Sequence, residues 1–527
     1  MTQRLLQLDQ VSYNLPDGRV LFDQLTHTFS TRATGIVGAN GCGKSLLGRL
    51  LTGEQLPTSG IVRREGQVYA VAQLLEPERY PSVAALAGVD HILATLDRIA
   101  LGSVDDDDHS LAVDQWDCAT RLQAELEKIG LGRLNADSRT DALSGGERQR
   151  VALLGAWLSR ADWLILDEPS NHLDIDQQHK LAQQIDRWPN GLVLISHDRG
   201  LLEHVNEIVE LSPMGLSVYG GNYSQYAAAR EQEQQSFQSA LQGERAQAKR
   251  EQREMVVQME RQQRRNARGD RQARDGNQTK LITNAQKERS ENSQGKLRLN
   301  QLVAREQQQQ RIAEARARCA PDVQRMMLSP ESVVPNGKLI VQLNDVILPF
   351  GYAAPINLTL TGPMRMAILG ANGSGKSTLL RVIAGQLPVH EGEVIRSCHV
   401  GWLDQHAGLQ YPERTAVQWL YGSNPELPEA EARTRLAQMG IDANRAMLKT
   451  CQLSGGERLK IALATQLYAQ RPPQLLLLDE PDNHLDLPSR IALEQMLIQY
   501  QGALIVVSHD EVFLQGIRLD SEFHLKS

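Results

Sequence analysis

No apolar run in the 527 residues approaches the roughly 18 that a membrane-spanning helix requires; the longest are short, such as 475–478, which stops at Asp479. The opening MTQRLLQLDQ lacks the apolar centre and cleavage pattern of a secretory signal. Cysteine is scarce: Cys42, Cys118, Cys319, Cys398 and Cys451 are scattered, odd in number, and form no CxxC pair. That argues against zinc, iron–sulfur and disulfide frameworks. These absences predict a reduced, cytoplasmic chain with no membrane partner. With 41% hydrophobic and 23% charged residues the composition is globular. The length exceeds one core, so two or three domains are expected.

The segment 227–320 lacks proline altogether and has one aromatic residue, Phe237. It holds 20 basic and 12 acidic residues, whereas the rest of the chain holds 36 and 51, so the formal charge of −7 conceals a basic insert in an acidic body. Such an asymmetry points to a polyanionic partner for the insert alone. Gln, Arg, Glu and Ala dominate it, which favours helix. Phe237 with Leu241, and Leu299 with Leu302 and Val303, sit at helical spacing and suffice for a thin seam between two helices. A hairpin is therefore expected, its tip near Asp275 and Gly276, not far from Gly269. Arms of about 40 residues would project roughly 60 Å, with Gly295 breaking or kinking the second.

The remainder is one pattern written twice. A GxxxxGKS loop begins at Gly38 and again at Gly370, and Gln73 and Gln405 keep the same offset of 332. LSGGE recurs at 143–147 and 453–457, an offset of 310, and LDEP-x-NHLD at 166–174 and 478–486, an offset of 312 shared by His197 and His509. A duplicated domain follows, with about 22 extra residues in the first copy. These include the acidic run 105–108, which reads as a solvated loop. Short apolar segments at 34–37, 163–166, 192–195, 366–369, 475–478 and 503–507 precede the motifs as strands should. Alternation of strand and helix implies an α/β core with parallel pairing.

The chemistry follows from the residue types. In each GxxxxGKS loop the glycines (Gly38, Gly41, Gly43; Gly370, Gly373, Gly375) let backbone N–H groups crowd phosphates, with Asn40 and Asn372 inside the loop. Lys44 and Lys376 would reach the β/γ oxygens, and Ser45 and Ser377, the latter followed by Thr378, would ligate Mg²⁺. Asp167 and Asp479 end apolar strands where a carboxylate can hold metal-bound water. Glu168 and Glu480 would polarise the attacking water. His197 and His509 suit γ-phosphate sensing, and Gln73 and Gln405 suit metal and water contacts. Ser144, Gly145 and Gly146, like Ser454, Gly455 and Gly456, open helices whose N-termini can take phosphate oxygens. ATP and Mg²⁺ are the implied ligands.

This set resembles the ATP-binding cassette superfamily, in which the LSGGE of one half completes the site of the other. The resemblance implies two tandem P-loop cassettes, 1–226 and 336–527, joined by a long α-helical hairpin linker, 227–335. It implies one site from Lys44, Ser45, Gln73, Asp167, Glu168 and His197 with Ser454 and Gly456. The other would use Lys376, Ser377, Gln405, Asp479, Glu480 and His509 with Ser144 and Gly146. Tyr13, 25 residues before Gly38, stands where this superfamily stacks an aromatic on adenine; the second half has Leu348 near that place, with Phe350 and Tyr352 nearby. Tandem halves, the NHLD tail and the charged spacer resemble the ABC-F family in particular. That family implies an ATPase bound at the ribosomal exit site in the ATP state. Its hairpin reaches peptidyl tRNA and the peptidyl-transferase centre, and hydrolysis releases it. Six arginines (261, 264, 265, 268, 271 and 274) in a near three-residue rhythm suit rRNA and tRNA phosphates, and no DNA partner is expected. The chain departs from most members in having Ser170 and Asp482 where Thr is usual, in its short first-half insertion, and in having no basic extension following Ser527. Antibiotic resistance by the same mechanism and, further off, an ATPase subunit of a membrane importer are the alternatives.

Overall fold

The computed structural model describes residues 4–113, 115–212, 214–275, 309–313, 332–404, 412–483 and 485–525. Two compact units result, one of Met1–Tyr226 with Val323–Ser527 and one of Ala227–Asp322.

In the first unit each half builds a mainly parallel sheet beside a three-stranded antiparallel one. The first half orders its sheet Val68–Val71, Trp163–Asp167, Gly191–Ile195, Ala33–Gly38, Glu207–Ser212, Gly215–Gly220, and its final pair alone is antiparallel. The second half orders Val400–Leu403, Leu475–Asp479, Ala503–Val507, Arg365–Leu369, Ser521–His524, all parallel. Trp163–Asp167, Gly191–Ile195, Leu475–Asp479 and Ala503–Val507 are buried at every position. Continuous apolar runs therefore form these strands, because helices cover both faces of a parallel sheet. Val68–Val71 and Val400–Leu403 flank the strands that end in Asp167 and Asp479, which delivers both carboxylates to the C-terminal edge of their sheets.

The antiparallel sheets, ordered Val20–Phe29, Leu5–Asn14, Ser59–Glu65 and Ile356–Thr361, Leu339–Ile347, Glu391–Arg396, alternate buried and open residues instead. Leu6, Leu8, Phe22 and Phe29 pack with Leu47, Leu50 and Trp163 beneath the first loop; Val341, Leu343 and Leu358 pack with Leu379 and Ile383 beneath the second. Each half has a further apolar cluster on the other side of its sheet, and Leu487 of the second half belongs to the first half's cluster.

The first-half insertion forms helices Asp90–Ala100, Asp106–Ala112 and Cys118–Lys128. This corrects the reading of 105–108 as a solvated loop in two respects: the run starts a helix, and Asp108 is buried while Asp105, Asp106 and Asp107 are solvated as expected. Asp105 caps Asp106–Ala112 by accepting from the Asp107 N–H, and Asp108 is buried, accepting from Arg98 (2.5 Å) and Ser103 (2.7 Å). An acidic run at a helix start meets the positive end of the backbone dipole, which repeated negative charge favours.

The second unit contains most of helix Tyr223–Asp275, whose 53 residues correspond to about 80 Å. Leu241 is buried and Phe237 half-buried on it, and Arg245, Lys249, Arg250, Arg253, Arg261 and Arg264 are exposed. Residues 309–313 are helical and lie alongside, with Arg311 3.9 Å from Glu244 and 3.8 Å from Glu251. The helix runs through Gly269 to Asp275, where the tip is expected; Gly276, the seam at Leu299, Leu302 and Val303, and Gly295 lie outside the described residues.

Candidate functional site

The loops form as their glycines require. Gly43 has φ +98°, and a Cβ there would come within 2.6 Å of the Phe22 ring, so only glycine lets the loop settle on the antiparallel sheet. Gly375 repeats this with φ +99° against Leu348 and the Phe350 carbonyl. Helices Lys44–Thr52 and Lys376–Ala384 start immediately after, Ser45, Ser377 and Thr378 falling in their first turns. Lys44 Nζ donates to the carbonyls of Gly38 (2.9 Å) and Ala39 (3.1 Å), and Lys376 Nζ to those of Gly370 (2.8 Å) and Ala371 (3.0 Å). Both ammonium groups are thus tucked in the loop's mouth and buried.

The Ser45 hydroxyl faces Asp167 and that of Ser377 faces Asp479, each favouring the ionised carboxylate. Burial pushes both aspartates up, opposed by the serine, by the loop lysine and by Arg49 or Arg381. Each retains one buried Oδ with no hydrogen-bond partner among the described residues. A serine hydroxyl and a buried carboxylate oxygen are hard donors of the kind Mg²⁺ takes together with phosphates and water, so the residues present fit that ion.

Glu168 and Glu480 follow with φ +48° each, and their N–H groups donate to Ile195 and Val507 (2.8 Å both). This left-handed turn at a strand end aims each side chain at the neighbouring Ser-His-Asp segment. His197 Nε2 lies 3.7 Å from Glu168 Oε1, and His509 Nε2 3.6 Å from Glu480 Oε1. Burial, and then the Asp167 charge, push Glu168 up to about 7; burial and Asp479 raise Glu480. Burial and the loop lysine drive His197 down to about 3 and His509 to about 4, so both imidazoles are neutral at pH 7. Asn483 Nδ2 donates to Glu480 Oε2 at 2.5 Å.

Ser144 and Ser454 cap helices Gly145–Leu158 and Gly455–Leu467 in reciprocal capping boxes with Glu147 and Glu457. The halves meet head to tail. A cavity of about 580 Å³ brings Asn40, Gly41, Gly43, Lys44, Ser45, Gln73, Glu168 and His197 together with Gly455 and Arg458 of the other half. A second, of about 800 Å³, joins Ser144, Gly145 and Gly146 to Asn372, Gly373, Glu480 and His509. Asn40 N–H donates to Asp486 Oδ2 and Asn372 Nδ2 to the His172 carbonyl, both at 2.8 Å, pinning each loop to the opposite half's NHLD segment. A Cβ on Gly146 would sit 2.8 Å from that carbonyl, and one on Gly456 would sit 3.0 Å from Ser489 Oγ.

Ser454 and Gly456 flank Gly455 without being among the described residues that line the first cavity, and Lys376, Ser377 and Thr378 likewise adjoin the second. Tyr13 is half-buried against the Leu6–Phe22 cluster and is not among the first cavity's described lining residues. Phe350, 70% exposed beside Gly375, is the freer aromatic of the second half. Gln405 lies outside the described residues.

Sequence reasoning missed Arg490, which lines both cavities, and the roles of Asp486 and Asn483. The signal was present: at the 312 offset Arg490 aligns with Gln178, a change of charge like that of Asp482 against Ser170.

Comparison with known proteins agrees with this geometry. A family model described as "ABC transporter" matches residues 25–171 and 353–483. The chain is 30% identical to a probable ATP-binding protein, YheS, of Escherichia coli, over 94% of this chain and 75% of that one. It is also 30% identical to the tylosin resistance ATP-binding protein TlrC of Streptomyces fradiae, over 94% and 92%. An ABC transporter F family member of Arabidopsis thaliana is 28% identical over 97% and 74%. Among solved structures, an archaeal ribosome recycling factor in complex with a ribosomal stalk protein matches in fold, with TM-score 0.57 and 19% identity over 96% of this chain and 86% of that one.

Proposed function

Because the chain belongs to the ABC-F family of tandem ATP-binding cassette ATPases, we propose that it is a translation factor. On this reading it binds the ribosome, at the exit site, in its ATP-bound state. The linker meets rRNA and peptidyl tRNA near the peptidyl-transferase centre, and hydrolysis releases the protein. The observation that carries the reading is the union, in one chain, of two cavities shared between cassettes and a 53-residue helix with exposed arginines and lysines. Backbone charge neutralisation suits RNA phosphates, and the want of aromatics between 261 and 298 disfavours base stacking. Among the described residues no helix is long and apolar enough to cross a membrane.

At each composite site the loop N–H groups and the lysine hold the phosphates. Ser45 with Gln73 and Asp167, and Ser377 with Asp479 and, as the sequence expects, Gln405, would hold Mg²⁺, which would supply charge neutralisation to the phosphates. Glu168 and Glu480 orient and polarise the attacking water. The neutral His197 and His509 each have one ring N–H to donate toward the γ-phosphate. LSGGE of the facing half closes the site, so ATP acts as the adhesive between cassettes and its loss lets them part.

The test is the double variant Glu168→Gln/Glu480→Gln, which keeps nucleotide binding and loses turnover. It should co-sediment with ribosomes in ATP and block translation. Sedimentation free of ribosomes would refute the ribosomal role while sparing the ATPase. The resemblance to a tylosin resistance protein favours a second reading, ribosome protection. Expression that raises macrolide tolerance in a sensitive host would select it.

A further inference from the structure

Among the described residues two ion pairs cross the cassette interface, and both have the same polarity. Arg199 Nη1 lies 2.9 Å from Glu494 Oε1, with side chains only 7% and 12% exposed; His179 Nε2 lies 3.4 Å from Glu511 Oε2 at an exposed margin. In each, the first cassette supplies the nitrogen and the second supplies the carboxylate.

The duplication makes that polarity informative. Helices Ile175–Arg187 and Leu487–Gln499 keep the 312 offset, as do the starts of Arg199–Leu202 and Glu511–Gly516, capped by Asp198 and Asp510. Arg199 therefore corresponds to Glu511, Glu494 to Ala182, and His179 to Ile491. By the pseudo-symmetry of a head-to-tail pair, the counterpart of Arg199 on Glu494 is Glu511 on Ala182. Alanine has no charge to offer, and Glu511 meets His179 instead, about one helical turn earlier.

Like pairs would fare differently. Two second cassettes facing each other would set Glu511 against Glu494 at both crossings, carboxylate on carboxylate. Two first cassettes would press Arg199 onto the buried Ala182 and leave the guanidinium without a counter-charge. Either arrangement desolvates a charge with nothing to compensate it. The other charges near Glu494, Asp510 and Arg490, belong to its own cassette and travel with it, so the preference turns on whether residue 199 or residue 511 faces it.

We propose that Arg199 and Glu494, together with Glu511, decide which cassette pairs with which: like pairs are repelled, so the chain closes on itself and forms both ATP cavities within one molecule. Specificity here is a difference between pairings rather than the strength of one. The inference rests on the cassette pairing described above and needs nothing of the ribosomal role.

Glu494→Arg inverts the preference in one step, because the introduced guanidinium repels Arg199 within the chain and attracts Glu511 of a second copy. Light scattering of the full chain, with ATP and Mg²⁺ and without, should find the parent monomeric at every chain concentration. Glu494→Arg should instead form dimers as its concentration rises. Its turnover per chain should fall at least about tenfold when dilute and recover as dimers form. Glu494→Arg/Glu511→Arg repels both arrangements and should stay monomeric and slow. Arg199→Glu/Glu494→Arg restores attraction within the chain and should return to a monomer, since a tethered partner outcompetes a free one. Should Glu494→Arg fold poorly, Arg199→Glu/Glu511→Arg makes the same reversal from the opposite side and should dimerise likewise. A folded Glu494→Arg chain that stays monomeric overturns the proposal, as that is what an ion pair of purely structural worth predicts. So does a Glu494→Arg/Glu511→Arg chain that dimerises as readily, which would place the contact on another surface.

Discussion

Replacing Glu168 with glutamine in the nucleotide-free chain should make the protein more stable, by an amount that grows from pH 4.5 to about 7 and is constant above. The carboxyl is 11% exposed, and burial with Asp167 nearby raises it from 4.5 to about 7. Below the unfolded value the group is protonated in both states and contributes no pH dependence. As pH rises past 4.5 the unfolded chain ionises first, so folding loses stability until the folded carboxyl also ionises near 7; above that the loss is complete and constant. A shift of this size corresponds to about 3 kcal/mol, and to a melting-temperature difference of roughly 6–10 °C for one cassette. The amide matches the carboxyl in shape and never ionises, so it escapes that cost. Scanning calorimetry of parent and Glu168→Gln at pH 5 and pH 8 should show near-equal melting at the lower pH and a more stable variant at the higher. Other titrating groups are common to both proteins and cancel in the difference. A difference that stays flat between these pH values, or a variant that is less stable at pH 8, would refute the reasoning. The same ionisation should raise first-site turnover about tenfold from pH 6 to pH 8, since a base works only when deprotonated.

The remaining expectations concern the interface, the metal and the linker. Arg199→Ala breaks a buried ion pair with Glu494 (2.9 Å) across the cassettes and should cost about 3–5 kcal/mol in melts, whereas His179→Ala at the exposed counterpart with Glu511 should cost less than about 1 kcal/mol. Ser45→Ala should raise the Mg²⁺ concentration for half-maximal turnover about tenfold, because it removes the hydroxyl that faces Asp167 and would ligate the ion; an unchanged Mg²⁺ titration would place the ion elsewhere. Neutralising the six arginines between 261 and 274 should weaken ribosome association and flatten its salt dependence while leaving ATP affinity unchanged. Equal loss of both would argue against an RNA role.

Much of the site could be read in the chain because its parts are local. A phosphate loop needs glycines at fixed steps and a lysine, and a strand buried on both faces must be apolar throughout, as 475–478 is. The 312 offset alone pairs Asp167 with Asp479 and His197 with His509. Where reading failed, the deciding contact was remote in sequence. Asp108 looked like solvated charge because nothing nearby in its pattern announces that Arg98 folds back onto it. Arg490 belongs to no motif, and its carboxylates come from four separate segments.

The sequence by itself determined the duplication, the chemistry of each motif and the helical, basic character of the spacer, since all of these rest on residue type and short-range period. Only the tertiary structure decided which loop faces which LSGGE and how the surroundings of Glu168 and Glu480 differ. Those properties are set by burial and by charges brought together from distant segments. Coulomb interaction depends on distance and on how much water is excluded, and neither is written in local order.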